Sequence, residues 1–357
     1  MLHAVFSARL RAALDTRLRW ATILLAPLAI GASPAPMAAP SAVPPPIAPD
    51  ADPAPTGHIG AEIVPIIQPF DLDATRRMAV PVMVEGKGPY SFLVDTGAER
   101  TVIAEELANR LGLAKGAKLR LATIGSSAIV PSFQIASLEM TNLRLLPFDA
   151  PAFAGRHIGA PGLIGVDMLE NRRVLIDFRN ETMQILETRY RARPIIHTSD
   201  AIVVTARNSA GRLILSDARI GGQRVDVIVD TGAQTSVGNL ALQRLVMARR
   251  QNRVPLFPTI LNAVSGEEVA AMRTVLKAIQ INGIDVNDLR VSFADSQAFR
   301  ALGLQERPAL LLGMDGLAAF DRIEIDFPNR RVVFDLPSSA SQSIIRTGTP
   351  AGRLATG

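Results

Sequence analysis

The chain repeats itself, and this limits its fold before any single motif does. Tyr90-Ser-Phe-Leu-Val-Asp95-Thr96-Gly97-Ala98 is answered by Val225-Asp-Val-Ile-Val-Asp230-Thr231-Gly232-Ala233, with the triads 230 − 95 = 135 residues apart. Further on, Gly162-Leu163-Ile164-Gly165-Val166-Asp167-Met168-Leu169 is matched by Leu310-Leu311-Leu312-Gly313-Met314-Asp315-Gly316-Leu317. Ile176-Asp177-Phe178-Arg179-Asn180 then finds its counterpart in Ile325-Asp326-Phe327-Pro328-Asn329. Three blocks in one order mark a duplicated domain. A chain of 357 residues, 48% of them apolar, is long enough to bury two cores.

Each copy reads as mostly β. Residues 78–84 and 90–94 alternate as strands around the Gly/Pro-rich connection 85–89, and 213–220 and 225–229 do the same around Gly221-Gly222. A helix is expected after each triad. In the first copy Ile103, Leu107 and Leu111 fall at i, i+4 and i+8, and Gly112 supplies a left-handed stop. In the second, residues 240–247 are the equivalent, with Asn239 as N-cap. Alternation turns Asp177 and Asp326 away from their Ile and Phe neighbours, as solvated or turn-bonded residues.

The ends read differently. Arg9, Arg11, Arg17 and Arg19 precede an apolar run over 21–32 and a small-residue stretch, so residues 1–38 read as a secretory signal. That run falls short of the ~20 residues of a membrane-spanning helix, and the membrane would be reached only through this N-terminal segment left uncleaved. Residues 39–59 form a Pro/Ala-rich extended linker, 60–190 and 191–337 the two lobes, and 338–357 a flexible tail. A periplasmic or secreted location follows. The net charge of +5 comes partly from those arginines and Trp20 is the single tryptophan, so no nucleic-acid partner is implied. The absence of cysteine excludes thiol catalysis, disulfides and a Cys-based zinc site. His3, His58, His157 and His197 lack metal-ligand spacing, and no metal or cofactor is expected.

An apolar strand leading into Asp-Thr-Gly-Ala, followed by apolar-apolar-Gly at Leu163-Ile164-Gly165 and Leu311-Leu312-Gly313, resembles the pepsin and retropepsin superfamily. More narrowly, the chain resembles two retropepsin-like domains fused in tandem over roughly residues 60 to 337. The resemblance implies two β-barrel-like lobes related by an approximate two-fold, with the active site between them. It implies an aspartic endopeptidase acting on a peptide or protein substrate, as a monomer of two lobes. Asp95 and Asp230 would share one proton and activate water, because two carboxylates about 3 Å apart cannot comfortably both ionise. Thr96 and Thr231 would hydrogen-bond across the two-fold, while Gly97 and Gly232 would let the backbone turn sharply beside the carboxylates. Ala98 and Ala233 stand where many pepsins carry a hydroxyl, which predicts a mildly acidic optimum.

Asp167 and Asp315 resemble the residue that opens the last helix of retropepsins, where an N-capping role is expected. The Arg that usually precedes it is replaced by Val166 and Met314. Flap hairpins that hold an extended peptide are expected around Ile124-Gly125-Ser126-Ser127 and Val264-Ser265-Gly266-Glu267, with Gly125, Ser126, Ser265 and Gly266 as substrate-binding candidates. Taken singly, either triad also fits an Asx-type turn. The alternative function is a catalytically silent peptide-binding or scaffold protein of the cell envelope.

Overall fold

The computed structural model describes residues 66–69, 71–72, 77–140, 143–145, 147–187, 194–196, 201–248, 255–337 and 345–347. The expected signal and linker lie outside the described residues. Of the expected tail only Ile345–Thr347 lies among them, as a short strand beside Ile284–Phe293. No helix among the described residues is long and apolar enough to cross a membrane.

The fold is mainly β, in two retropepsin-like lobes. In the first half Met78–Val84 pairs antiparallel with Lys87–Val94. The turn is narrower than 85–89: Glu85 and Gly86 alone carry it at φ 50° and 72°, a left-handed pair that matches the twist of the strands it joins. Val80, Val82, Val84 and Phe92 are fully buried from this hairpin. The second half repeats the hairpin with Arg212–Ile220 and Gln223–Val229.

Six short helices punctuate the sheets among the described residues. They are α1 (Glu105–Leu111), α2 (Gly155–Ile158), α3 (Val166–Leu169), α4 (Leu240–Met247), α5 (Gln297–Ala301) and α6 (Met314–Leu317). Gly112 closes α1 in the left-handed conformation, at φ 71°. Asn239 caps α4, its Oδ1 accepting from the Leu242 N–H at 2.8 Å. Ile103 corrects the helical reading of its segment, because it lies in the strand Val102–Ala104, paired with Ala152 on one side and Gly162 on the other. The i, i+4 spacing was shared by a strand end and a helix start.

A continuous ribbon of strands ties the halves together. Ile66–Pro69, Thr182–Glu187 and Arg172–Asp177 belong to the first, and Arg322–Asp326, Arg331–Asp335 and Ala201–Ser209 to the second. Across the middle, Arg173 stands opposite Asp326 and Asp177 opposite Arg322. One apolar core runs through both halves, from Met78 to Phe334.

Charge is buried in this bridge. Arg173 reaches Glu324 at 3.4 Å and Asp326 at 3.2 Å, and Arg331 reaches Asp326 at 2.7 Å. Glu324 also accepts the Ile195 and Ile196 N–H groups at 2.6 and 3.0 Å. Asp177 is turn-bonded as expected, to Asn180. Asp326 is not solvated: it bonds its own turn at Asn329 but is fully buried, because its strand lies between two others.

Candidate active site

Each triad sits at the end of a central strand, and a second chain segment holds it there. Gly162–Ile164 runs parallel to Lys87–Val94 and antiparallel to Val102–Ala104, so it lies between the strand entering the triad and the one leaving it. The Asp95 N–H donates to the Ile164 carbonyl at 2.9 Å, and that of Val166 to Ala98 at 2.9 Å. Ala309–Leu312 does the same in the second half, with Asp230 N–H to Leu312 at 3.0 Å and Met314 N–H to Ala233 at 2.9 Å.

The glycine of the apolar-apolar-Gly segment is needed for close approach. A Cβ on Gly165 would stand 2.4 Å from the Arg100 carbonyl carbon, and one on Gly313 2.8 Å from that of Thr235, far inside contact distance. Asp167 and Asp315 follow in the first turns of α3 and α6, and their role differs from the expected N-cap. The caps are Gly165 and Gly313, without side-chain bonds. Asp167 instead accepts from the N–H and hydroxyl of Thr101 at 2.9 and 2.7 Å, and Asp315 from those of Ser236 at 3.0 and 2.8 Å. Both carboxyls are raised by burial. Each ties its helix to the chain leaving the triad.

The two triads meet. The Thr96 N–H donates to Thr231 Oγ1 at 3.1 Å and the Thr231 N–H to Thr96 Oγ1 at 3.2 Å. Each hydroxyl passes its own proton across the two-fold, Thr96 to the Val229 carbonyl at 2.9 Å and Thr231 to the Val94 carbonyl at 2.7 Å. Both threonines are buried, so this closed set of four bonds leaves no lone donor.

Gly97 and Gly232 do not have the left-handed φ that a sharp glycine turn would show. Their need for glycine is again space. A Cβ on Gly97 would stand 2.5 to 2.6 Å from the carboxylate atoms of Asp230, and one on Gly232 2.1 to 2.5 Å from those of Asp95. Each glycine thus lies against the carboxylate of the other half, which puts the two carboxyls beside one another.

An interlocked pair of loops, one from each half, thus forms the site. Residues 80–171 match the family described as "gag-polyprotein putative aspartyl protease", and residues 216–315 the family described as aspartyl protease. The chain belongs to the pepsin and retropepsin superfamily. It carries two aspartyl protease domains in tandem, and the two matches together span more than half its length. Among curated proteins, no significant match is found.

The environment makes the two carboxyls unequal. Asp95 accepts from the Gly97 and Ala98 N–H groups at 2.8 Å each, and Asp230 from those of Gly232 and Ala233 at 3.0 and 3.1 Å. Burial raises Asp95, against the pull of those two N–H groups, the Arg212 charge and a hydrogen bond with Asp230. Asp230 is pushed up to about 8, first by burial and then by the charge of Asp95. Both carboxyls are thus raised by burial, and the charge of one raises the other.

The hairpin tips also meet. Leu119–Ala122 and Ser127–Val130 form the first hairpin, and Phe257–Asn262 with Glu268–Ile281 the second. Ser126 Oγ donates to Glu267 Oε2 at 2.8 Å across the tips, and Ser265 Oγ to the same oxygen at 3.1 Å. A Cβ on Gly125 would collide with that carboxylate at 2.4 Å, and one on Gly266 with the His157 ring of α2 at 2.3 Å. The Ile124 carbonyl accepts from the N–H of Gln297 in α5 at 3.2 Å.

Sequence reasoning missed Glu267, His157, Gln297 and Arg212 as site residues. Glu267 lay within the tip Val264-Ser265-Gly266-Glu267, and Arg212 left a signal as a cation at the head of an apolar strand 135 residues after Arg77. A groove of about 740 Å³ between α4 and the second hairpin, lined by Leu240, Ile260, Met272 and Phe293, contains neither carboxyl. Among the described residues no cluster of His, Asp and Glu could hold a metal ion.

Proposed function

We propose that the protein is an aspartic endopeptidase in which Asp95 and Asp230 together activate the water that cleaves a peptide bond. The observation that carries this reading is the reciprocal packing of each triad glycine on the opposite carboxylate, which sets two carboxyls side by side in a place where burial raises both.

The cycle balances with these two groups alone. Asp95 takes a proton from water as the oxygen attacks the scissile carbonyl carbon, while Asp230 gives its proton to the carbonyl oxygen. The result is a tetrahedral diol. Asp95 then passes its proton to the amide nitrogen, Asp230 recovers one from a diol hydroxyl, and the C–N bond breaks. The pair returns to its starting charge. Gly125, Ser126, Ser265 and Gly266 at the hairpin tips are proposed to hold the substrate as an added extended strand.

Export to the periplasm or beyond belongs to the same proposal and rests on residues 1–38. Incubating the purified chain, from residue 60 onward, with a diverse peptide library tests the activity. Cleavage that a pepstatin-type inhibitor suppresses is expected; capture of extended peptides without cleavage would instead identify a silent binding module.

A further inference from the structure

The two halves carry equivalent arginines that do different things. Arg212 heads the strand Arg212–Ile220, and 212 − 135 = 77 locates its counterpart, Arg77, just before Met78–Val84. Arg77 donates within its own half, from Nη1 to the Ile158 carbonyl at 3.0 Å. Arg212 crosses into the other half, where its Nε donates to the Gly97 carbonyl at 2.5 Å.

Gly97 is in contact with the whole pair. Its N–H binds Asp95, and its Cα side lies against Asp230. The turn that presents Arg212 is itself fixed across the halves. Ala210 and Gly211 take φ 50° and 78°, and a Cβ on Gly211 would meet the Val166 side chain of α3 at 2.7 Å. A partly buried guanidinium is thus held on the residue that touches both carboxyls.

We infer that Arg212 is a positioning residue: it fixes the Asp95 loop through the Gly97 carbonyl and places a permanent positive charge beside the pair, setting the pH range over which the pair holds one proton. This deepens the reading of Asp95 and Asp230 as the catalytic pair and rests on it. Arg212 lowers both carboxyls, opposing the burial that raises them.

Other charged groups lie on the elements around the pair, and Glu170 at the end of α3 comes near the turn of Arg212, its Oε2 standing 3.9 Å from where a Cβ on Gly211 would be. Asp167 on α3 is bonded to Thr101 with Arg100 as its neighbouring charge, and Asp315 on α6 to Ser236 with Arg290. Glu99, on the Asp95 loop, is exposed. Glu267 and His157 belong to the hairpin tips.

The test compares wild type, Arg212→Gln and Arg212→Lys, with Arg77→Gln as control and thermal unfolding to verify folding. Two readouts are taken: the pH profile of kcat/KM, and the titration of the aspartate carboxyls by 13C NMR, which needs no turnover. Without the cation both ionisations shift to higher pH. Arg212→Gln should therefore move both limbs up by on the order of one pH unit, Arg212→Lys should return them toward wild type, and Arg77→Gln should leave them in place. Equal shifts in the Gln and Lys variants, or a fall in rate with unmoved limbs and unmoved carboxyl titration, would overturn the inference. The underlying reading fails separately, if Asp230→Asn retains near-normal turnover.

Discussion

Asp95 and Asp230 leave matching strands, but their surroundings differ. Asp230 is 8% exposed, whereas Asp95 is only partly buried. The support beyond the triads differs too. In the second half Asn239 caps α4, and its amide also donates to the Leu304 and Arg307 carbonyls at 2.7 Å each. Its counterpart Ala104 offers α1 no side-chain bond, and that helix leans on Glu106, which accepts from the Gly155 N–H at 2.7 Å. The second half is also longer: its Gly313 lies 313 − 165 = 148 residues after Gly165, against 135 between the triads. A duplicated fold has kept the loops that must meet and let the surroundings diverge. The symmetry is strict only where two residues share one space.

The comparison breaks most sharply at the pair itself. Asp95→Asn and Asp230→Asn should each reduce kcat/KM by at least about 10²–10⁴-fold with the fold intact, and the double variant should be no worse, because the two act as a unit. Near-normal turnover by either single variant would show the halves to be chemically independent. Next in size is the bridge. Glu324→Ala removes a carboxylate from a buried cluster and should cost about 3–5 kcal/mol. Denaturant melts should still show one transition for both halves, and two transitions would mean that the ribbon between them does not couple their folding.

Asp230 also links stability to pH in a direction that its partner groups cannot hide. Its folded value of about 8 lies above the ordinary carboxyl value of 3.8. Its contribution is therefore complete below about pH 4 and is lost as pH rises through 8. Asp230→Asn should be the more resistant protein at pH 9 relative to wild type than at pH 5, and urea midpoints at the two values would reveal it. An unchanged difference would place the proton elsewhere.

Smaller effects sharpen the contrast further out. Asn239→Ala should cost about 1–2 kcal/mol, at the upper end for a lost cap since its amide bonds go with it, and hydrogen exchange should speed up over α4 without changing at α1. At the tips, Glu267→Gln should weaken the contact with Ser126 by about 1 kcal/mol or less, because the carboxylate is exposed. Spin labels on the two hairpins would report a broader distance distribution, and an unchanged one would locate the restraint at His157 and Gln297.

Much of this was legible locally. The repeat marked both triads, alternation gave the hairpins, and Asn239 and Gly112 ended up where cap chemistry predicts, because these features are fixed by neighbours a few residues away. Tertiary structure decided what depends on chain brought from afar. Glycine is required at 97 and 232 because a carboxylate from 135 residues away fills the space of a side chain, which no local pattern records. Asp167 and Asp315 anchor a neighbouring loop instead of capping a helix, since their partners Thr101 and Ser236 lie 66 and 79 residues off in sequence. Asp326 is buried because the last hairpins of the two halves pair with one another. Arg77 and Arg212 occupy equivalent positions in the repeat, yet Arg77 donates to Ile158 in its own half while Arg212 reaches the opposite triad, its turn packing on α3 of the other half. Sequence period fixes what a residue does to its own strand or helix; which partner it meets across the two-fold is fixed only when both halves close on the same space.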